Sequence, residues 1–258
     1  MNAFKVTMLA SGSKGNSALI STGKQNFLID MGISCRALTT RLKEVGFCAE
    51  DLDAIFLTHE HTDHISGLGT FTKKYAVPIY SSEKTWRAIL SKMPQIERKN
   101  CRIIAGGVRC GEVEVSSFEI PHDAVDPHGY VLKCAGSKCA YITDTGFVTE
   151  TVRQAAEGAD TLILEANHDI EMLKNGSYPD YLKQRILSTR GHLSNESAGH
   201  FLANLSRVPE KIFLAHLSQE NNLPSLALNT VQNILNSASL FNDTRIFVAS
   251  QNRIVKDY

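Results

Sequence analysis

A segment of seven residues, THEHTDH at positions 58–64, restricts what this 258-residue chain can fold into more than any other feature. An imidazole in a dry cleft is costly without partners, so three clustered histidines need either surrounding water or something to bind. In extended backbone, side chains two residues apart point to the same side, so His59 and His61 can hold one ion together. If the chain turns immediately afterwards, Asp63 and His64 project toward a neighbouring position. One short segment can therefore serve two metal ions.

Further potential ligands follow apolar runs elsewhere in the chain. His122 comes after SFEIP, Asp144 after AYIT, Asn167 and His168 after TLILEA, and His216 after IFLA. Where several strands run in parallel, their ends gather along one edge of the sheet, and binding crevices form there. A lone histidine after a strand is more often a surface or hydrogen-bonded residue. The joint placement of these residues favours metal binding.

The order of apolar runs predicts strands early and late in the chain, with helices between them, which suits two packed sheets with outer helices. The pattern predicts one strand over 108–115 and continuous helices over 65–75 and 170–187. We find no linker or repeat, and therefore predict a single domain over residues 1–258.

Composition excludes some partners. Lys plus Arg equals Asp plus Glu at 27 each, so no global field attracts the chain to nucleic acid or to an anionic membrane. The longest apolar runs are far below the roughly 20 residues that span a bilayer, and Gly and Ser interrupt the start before a signal-peptide core forms. We therefore expect a cytoplasmic protein without a membrane partner. Six cysteines without a CxxC pair predict reduced thiols, and we expect strand packing rather than pairing for Cys134 and Cys139.

The HxHxDH segment, the later histidine, the aspartate and the final histidine together resemble the metallo-β-lactamase superfamily. The resemblance implies an α/β fold, an αββα sandwich of two mixed β-sheets flanked by helices. It also implies the metal ligands: one ion bound by His59, His61 and His122, a second by Asp63, His64 and His216, and Asp144 bridging the two. His128 is the rival to His122, but it lies inside a loop, and we prefer the residue at the strand end.

Two divalent ions can lower the pKa of a shared water and stabilise the charge that develops on attacking and leaving oxygens, so we predict hydrolysis by a metal-bridging hydroxide. Oxygen-reducing di-iron members resemble an HxExDH pattern, whereas this chain has His61 in place of the glutamate. Asp144 resembles the bridging carboxylate of phosphodiesterases and thioesterases. We predict phosphodiester hydrolysis, in which Asp63 and Asp144 take part in catalysis. Zn, Mn and Fe all suit such ligands, and the resemblance favours Mn. We therefore expect two divalent ions, Mn or Zn, with Fe as a further option.

The segments LASGSKGN, HDA, TDTG, EANHD, GHLSN and AHLSQENN, taken together, resemble the WalJ/YycJ branch of this superfamily. That resemblance implies a cytoplasmic bacterial 5′-to-3′ exonuclease whose substrate is DNA, with RNA as a second option. A phosphodiesterase for a small cyclic or nucleotide substrate is the alternative enzyme. A non-catalytic metal-binding module is a third interpretation, which the complete ligand set disfavours. The sequence does not indicate an oligomeric state.

Several residues near the expected edge are candidates for binding or catalysis. His192 and Ser194 precede a predicted helix, where free N–H groups suit a phosphate, although simple helix capping explains them equally well. His168 could protonate a leaving oxygen or hold a phosphate, and a structural role is equally plausible. The predicted substrate contacts are Ser13, Asn16, Asn167, His168, His192, Ser194 and Ser218. Basic patches, one of them formed by Lys183, Arg185 and Arg190, could bind phosphates or be solvated surface.

Overall fold

Two seven-stranded β-sheets pack face to face in a computed structural model that describes residues 3–240 and 243–257. The first sheet has the order β14-β1-β2-β3-β4-β5-β6, and the second has the order β13-β12-β11-β10-β9-β8-β7. The strands are β1 Lys5–Ala10, β2 Ser17–Ser21, β3 Asn26–Ile29, β4 Ala54–Phe56, β5 Ile79–Ser81, β6 Cys101–Ile103, β7 Gly107–Cys110, β8 Val113–Glu119, β9 His128–Cys134, β10 Ser137–Ile142, β11 Thr161–Glu165, β12 Lys211–Ala215, β13 Arg245–Val248 and β14 Val255–Lys256.

Helices follow many of these strands and cover the outer faces of the sheets. The α-helices are α1 Cys35–Glu44, α2 Thr62–Ile65, α3 Leu68–Lys74, α4 Glu83–Lys92, α5 Glu150–Ala156, α6 Ile170–Asn175, α7 Asp180–Leu187, α8 Asn195–Ala203 and α9 Pro224–Ser237. Within the described residues, no helix is both long and apolar enough to cross a membrane.

Side-chain alternation sorts the central strands into three hydrophobic layers. In β11, Ile163 joins the core between the sheets, whereas Leu162 and Leu164 join the core beneath helices α5, α8 and α9. In β2, Ile20 faces the other sheet and Leu19 faces the helices of the first sheet. Strands buried on both faces read as continuous apolar runs, which is why the sequence pattern predicts them. The predicted αββα arrangement of two mixed sheets is confirmed.

Strand direction gathers the functional segments at one edge. Strands β3 to β6 pair in parallel, and so do β10 to β13. Strand β9 is antiparallel to both β8 and β10, so β8 runs in the same direction as β10. By the same argument β1 runs in the same direction as β3. The segments that follow β1, β3 and β4 therefore emerge at one end of the first sheet, and those that follow β8, β10, β11 and β12 emerge at one end of the second. The two ends adjoin, since the ring of His59 after β4 lies 5.1 Å from that of His122 after β8, centroid to centroid.

Close backbone approach joins two of these segments. A Cβ atom at Gly32 would lie 1.6 Å from the backbone oxygen of Asp63, so only glycine fits there. Gly32 also donates its N–H to the backbone oxygen of Asn16 at 2.8 Å, and Asn16 donates to that of Asp63 at 2.8 Å. The loops after β1 and β3 thus support the start of α2.

Three predicted elements are wrong in extent. The predicted strand over 108–115 is a hairpin of β7 and β8, because Gly111 takes a positive φ of 59° and reverses the chain. The predicted helix over 65–75 divides into α2 and α3 where the N–H of Gly67 donates to the backbone oxygen of Met31. The predicted helix over 170–187 divides into α6 and α7, since Gly176 and Pro179 interrupt it.

The cysteines agree with their prediction. All six are free in the structure. In the hairpin of β9 and β10, Cys134 lies opposite Ser137 and Cys139 lies opposite Leu132, so the two cysteines do not face each other. Both side chains belong to the core between the sheets.

Candidate metal centre and cleft

The first group of potential ligands lies at the end of β4 and in the segment after β8. The ring atoms His59 Nε2 and His61 Nδ1 are 3.0 Å apart, and the ring of His122 lies 5.1 Å from each of the other two rings, centroid to centroid. One nitrogen from each of these three side chains lies within 4.8 Å of the others. The three imidazoles could therefore hold one ion.

The second group begins in α2 and ends after β12. Asp63 Oδ2 lies 3.3 Å from His64 Nε2 and 3.5 Å from His216 Nε2, so these three side chains could hold another ion. Asp144 lies between the groups: its Oδ2 is 3.5 Å from His64 Nε2, and its Oδ1 is 3.9 Å from His122 Nε2. His59, His64 and Asp144 also satisfy the spacing for a shared ion.

Two buried polar atoms in this cluster show that the donor set suits cations. Asp144 Oδ2 and His216 Nε2 are buried and have no hydrogen-bond partner among the described residues. Each residue is only 3% exposed, so water supplies little compensation for the missing partners. Imidazole nitrogens and carboxylate oxygens facing one another at these distances form a normal coordination shell for divalent ions. The residues present therefore fit divalent metal binding.

Buried partners orient the histidine rings. Asp30, at the end of β3, places its Oδ2 2.8 Å from His64 Nδ1, which leaves Nε2 facing Asp63 and Asp144. Thr58 Oγ1 lies 2.9 Å from His59 Nδ1 and orients that ring in the same way. The sequence pattern does not indicate that Asp30 belongs to the site.

Electrostatics at the centre reflect burial and opposing charges. Burial raises the pKa of the Asp30 carboxyl group. Burial alone would also raise the pKa of Asp63, but the neighbouring His64 and His216 lower that pKa far below its ordinary value. Burial likewise opposes the charged form of His64, yet the surrounding carboxylates, of which Asp144 contributes most, raise its pKa well above the ordinary value. Asp63 is thus held in the ionised form that binds cations.

Backbone conformation aims three of these side chains. Asp30, Asp144 and His216 have φ angles of 61°, 58° and 56°, although none of them is glycine. Asp30 and His216 directly follow β3 and β12, and Asp144 follows β10 after one residue, so a sharp change of direction there turns each side chain into the cluster. Such strained positions persist where the surrounding structure holds them, and they are concentrated at functional sites.

A buried carboxylate that the sequence analysis missed joins the centre to a further histidine. Glu165, the last residue of β11, places Oε1 2.8 Å from both His192 Nδ1 and His216 Nδ1. Its Oε2 accepts the backbone N–H groups of Thr145 at 2.9 Å and Leu193 at 3.0 Å. Although burial would raise the pKa of Glu165, the two imidazoles lower it below its ordinary value. A glutamate in the otherwise apolar run TLILE is the signal that could have identified it, since such a buried charge requires partners.

A cleft of about 260 Å³ opens above the centre. Its walls come from the segments at the common edge and from helix α7. The lining residues are Ser13, His61, Asp63, His122, Asp123, Asp144, Asn167, Tyr178, Leu182, Arg185, Ile186, Gly191, His192, His216 and Ser218.

Four of the residues predicted to contact substrate line this cleft, namely Ser13, Asn167, His192 and Ser218. Three do not. Asn16 is buried and places its Nδ2 3.2 Å from both Asp63 Oδ2 and His64 Nε2, so it supports the ligands. Ser194 caps α8 by accepting the N–H of Ser197 at 3.1 Å.

His168 lies behind the cleft and is 1% exposed. Neither of its ring nitrogens has a hydrogen-bond partner in the described part of the chain, and burial lowers the pKa of this imidazole to about 4. The structure therefore gives no support to direct contact between His168 and substrate. His128, the rival to His122, was predicted to lie inside a loop, but it is the first residue of β9. It places its Nδ1 2.9 Å from the backbone oxygen of Asp126 and does not line the cleft.

Comparisons with known proteins identify the class to which this fold and site belong. A family profile described as "Beta-lactamase superfamily domain" matches residues 25–217. The metallo-β-lactamase fold protein YhfI from Bacillus subtilis superposes with a TM-score of 0.72 at 19% identity, over 98% of this chain and 99% of that one. The fold is thus that of the metallo-β-lactamases.

Curated relatives narrow the assignment. Exodeoxyribonuclease WalJ from Streptococcus pneumoniae is 42% identical over 242 residues, covering 92% of this chain and 90% of the relative. Exodeoxyribonuclease YycJ from Bacillus anthracis is 40% identical over 232 residues, covering 89% of this chain and 88% of that protein. The chain belongs to the WalJ/YycJ branch of the metallo-β-lactamase superfamily, as its motifs predict.

Proposed function

We propose that this protein is a two-metal phosphodiester hydrolase that degrades DNA from the 5′ end toward the 3′ end. The metal ligands in this proposal are His59, His61 and His122 for one ion, Asp63, His64 and His216 for the other, and Asp144 between them. Mn or Zn suits these ligands best, and Fe is also compatible with them.

The observation that carries the proposal is the convergence of these side chains around Asp144. His64 Nε2 and His216 Nδ1 lie 3.5 and 3.2 Å from its carboxylate oxygens, although His64 lies in α2 and the other two residues follow β10 and β12. Membership in a branch whose curated relatives are exodeoxyribonucleases supports DNA as the substrate class. RNA is the second polymer to test.

When bound, divalent ions at such a centre lower the pKa of a water molecule and neutralise charge on the phosphoryl oxygens. Asp144 keeps the two ligand groups together, while Asp30 and Thr58 hold the rings of His64 and His59 in place. These contacts fix which ring nitrogen of each histidine faces the position of the metal ion.

His192 is our candidate for the acid that assists the leaving group. It lines the cleft, and the contact between its Nδ1 and Glu165 leaves Nε2 free for the substrate. Glu165 orients the ring, so that a proton carried on Nε2 can pass to the 3′ oxygen released when the P–O bond breaks. His168, the other candidate, is buried away from the cleft.

The size of the cleft affects the choice between a DNA exonuclease and a phosphodiesterase for a small cyclic or nucleotide substrate. About 260 Å³ is slightly below the range of ordinary ligand pockets, which suits the end of a strand better than an internal segment of duplex. The same size would also suit a small cyclic or nucleotide phosphodiester, so that activity is the second candidate.

We further propose that residues 1–258 act as one domain in the cytoplasm. The pairing of β1 near the start of the chain with β14 near its end supports a single domain. The free cysteines suit a reducing compartment, which supports the cytoplasmic location.

Oligonucleotides labelled at the 5′ or the 3′ end test the proposal. Metal-loaded protein should release labelled mononucleotide early from the 5′-labelled strand, and a blocked 5′ end should stop the release. Asp63→Ala should abolish turnover while leaving the circular dichroism spectrum unchanged. Hydrolysis of bis-p-nitrophenyl phosphate without DNA degradation would favour the alternative, and full activity in Asp63→Ala would contradict the proposed centre.

A further inference from the structure

Helix α7 covers one side of the cleft without being anchored in the core. None of its eight residues is buried. Leu182, Arg185 and Ile186 nevertheless line the cleft, and their spacing of three and four residues places them on one face of the helix. These three side chains would therefore contact a ligand bound in the cleft.

Arg185 is held in the cleft by a carboxylate beside the metal-ligand groups. Its Nε donates to Asp123 Oδ2 at 2.5 Å, and Asp123 Oδ1 lies 3.3 Å from His122 Nε2. The ion pair therefore fixes a guanidinium group next to His122.

The charges around the cleft give this guanidinium a distinct role. Three of the lining residues are carboxylates, Asp63, Asp123 and Asp144, whereas Arg185 is the single lysine or arginine among the residues that line it. An anionic substrate entering here meets one permanent positive charge from the protein. The other cations of the sequence patch do not line the cleft: Lys183 donates from Nζ to the backbone oxygen of Lys174 at 2.8 Å.

The guanidinium group retains unused donors. Arginine has five N–H groups in a planar fork, and the bond to Asp123 uses the one on Nε. Within the described residues, the terminal nitrogens of Arg185 have no protein hydrogen-bond partner. Two parallel N–H groups of this kind match two oxygens of a phosphate, and lysine cannot reproduce that geometry.

We propose that Arg185 forms a phosphate-binding subsite of the cleft, and that Asp123 is its positioning residue. The ligand is a phosphate of the strand end that lies beside His122. This inference rests on the proposed function, because it assigns the charged group that holds the substrate of the same centre.

Three variants on the Mn-loaded protein test the subsite: Arg185→Gln, Arg185→Lys and Asp123→Asn. Lys183→Gln, on the same helix but outside the cleft, is the matched control. Because no residue of α7 is buried and the Asp123 side chain is 27% exposed, all four proteins should fold, and thermal melting checks that they do. Initial rates on a 5′-phosphorylated oligonucleotide separate KM from kcat, and isothermal titration with thymidine 5′-monophosphate measures binding without turnover.

Arg185→Gln should raise KM about 10- to 100-fold and weaken thymidine monophosphate binding by a similar factor, with a smaller change in kcat. The slope of log KM against log salt concentration should fall by about one, as expected for one lost phosphate contact. The KM of Arg185→Lys should lie between those of the wild type and Arg185→Gln. Asp123→Asn should raise KM less than Arg185→Gln does, because the guanidinium stays but is no longer held.

Wild-type KM and thymidine monophosphate affinity in Arg185→Gln would overturn the subsite, as would equal losses in Lys183→Gln. Failure of the proposed function looks different, since wild-type protein would then degrade no oligonucleotide. In that case Arg185-dependent binding of thymidine monophosphate would still support a phosphate subsite, and Arg185-independent or absent binding would overturn it.

Discussion

Glu165→Gln should impair both stability and activity, because this one carboxylate joins three loops of the site. The buried side chain accepts four hydrogen bonds, from His192, His216, Thr145 and Leu193, at 2.8 to 3.0 Å. Glutamine has nearly the same shape but only one accepting oxygen. Whichever way the amide is turned, two donors face an NH₂ group in place of an oxygen.

The size of the effect follows from the two donors left unpaired. Each buried, unsatisfied donor costs about 1 to 3 kcal/mol, and a change of tautomer in one imidazole can recover part of that cost. We expect a loss of about 3 kcal/mol in the free energy of unfolding. For a protein of this size, that corresponds to a fall in Tm of about 6 to 12 °C. Loss of the contact that orients His216 and His192 should lower metal affinity or activity about 10- to 100-fold.

Differential scanning calorimetry on the metal-loaded protein and initial rates on an oligonucleotide measure these two effects. Glu171→Gln is the matched control, since Glu171 is exposed and forms only a surface ion pair with Lys174. Its free energy of unfolding should change by less than about 0.5 kcal/mol. If Glu165→Gln melts with the wild type and keeps its full rate, the assigned role of this carboxylate is refuted.

Two further predictions concern acid stability and metal removal. Burial holds the pKa of His168 at about 4, against about 6.5 in the unfolded chain, so the unfolded state binds more protons between these values and stability falls as pH is lowered through that range. His168→Leu should remove this contribution to the pH dependence of stability. The difference between the urea-unfolding free energies of the variant and the wild type should therefore shift by about 2 to 3 kcal/mol in favour of the variant as the pH is lowered from 7 to 4.5. A constant difference across that range would contradict the prediction. Chelation of the metal-loaded protein should lower Tm, and restoring Mn should reverse the loss, because an ion bound at about 1,000 times its Kd adds roughly 4 kcal/mol. Asp63→Ala should show a much smaller metal-dependent shift, and equal shifts in both proteins would place the stabilising ion elsewhere.

The sequence predicts the fold well where burial alone determines structure. Apart from Thr161, Glu165 and Lys211 at their ends, β11 and β12 are apolar because both faces of these strands are covered, so their position is readable from hydrophobicity. Local interruptions of strands and helices are harder to predict from sequence. The reversal at Gly111 depends on a positive φ, and the break at Gly67 depends on a hydrogen bond to Met31, which is remote in sequence.

The functional site likewise contains residues that the sequence predicts and residues that it does not. Residues at strand ends, such as Asp144 and His216, are predictable because parallel strands bring their ends to one edge. Glu165 was missed because it reads as the last position of a buried strand, and its importance depends on two histidines from other loops. Arg185 could not be separated from Lys183 by sequence, since only the packing of α7 decides which cation enters the cleft.

The central claim is that two cations share one carboxylate at the common edge of the sheets. An anomalous difference map from crystals of Mn-loaded protein tests it most directly. We predict two peaks, one among His59, His61 and His122 and one among Asp63, His64 and His216, with Asp144 in contact with both. A single peak, or an Asp144 side chain turned away from the histidines, would contradict this account.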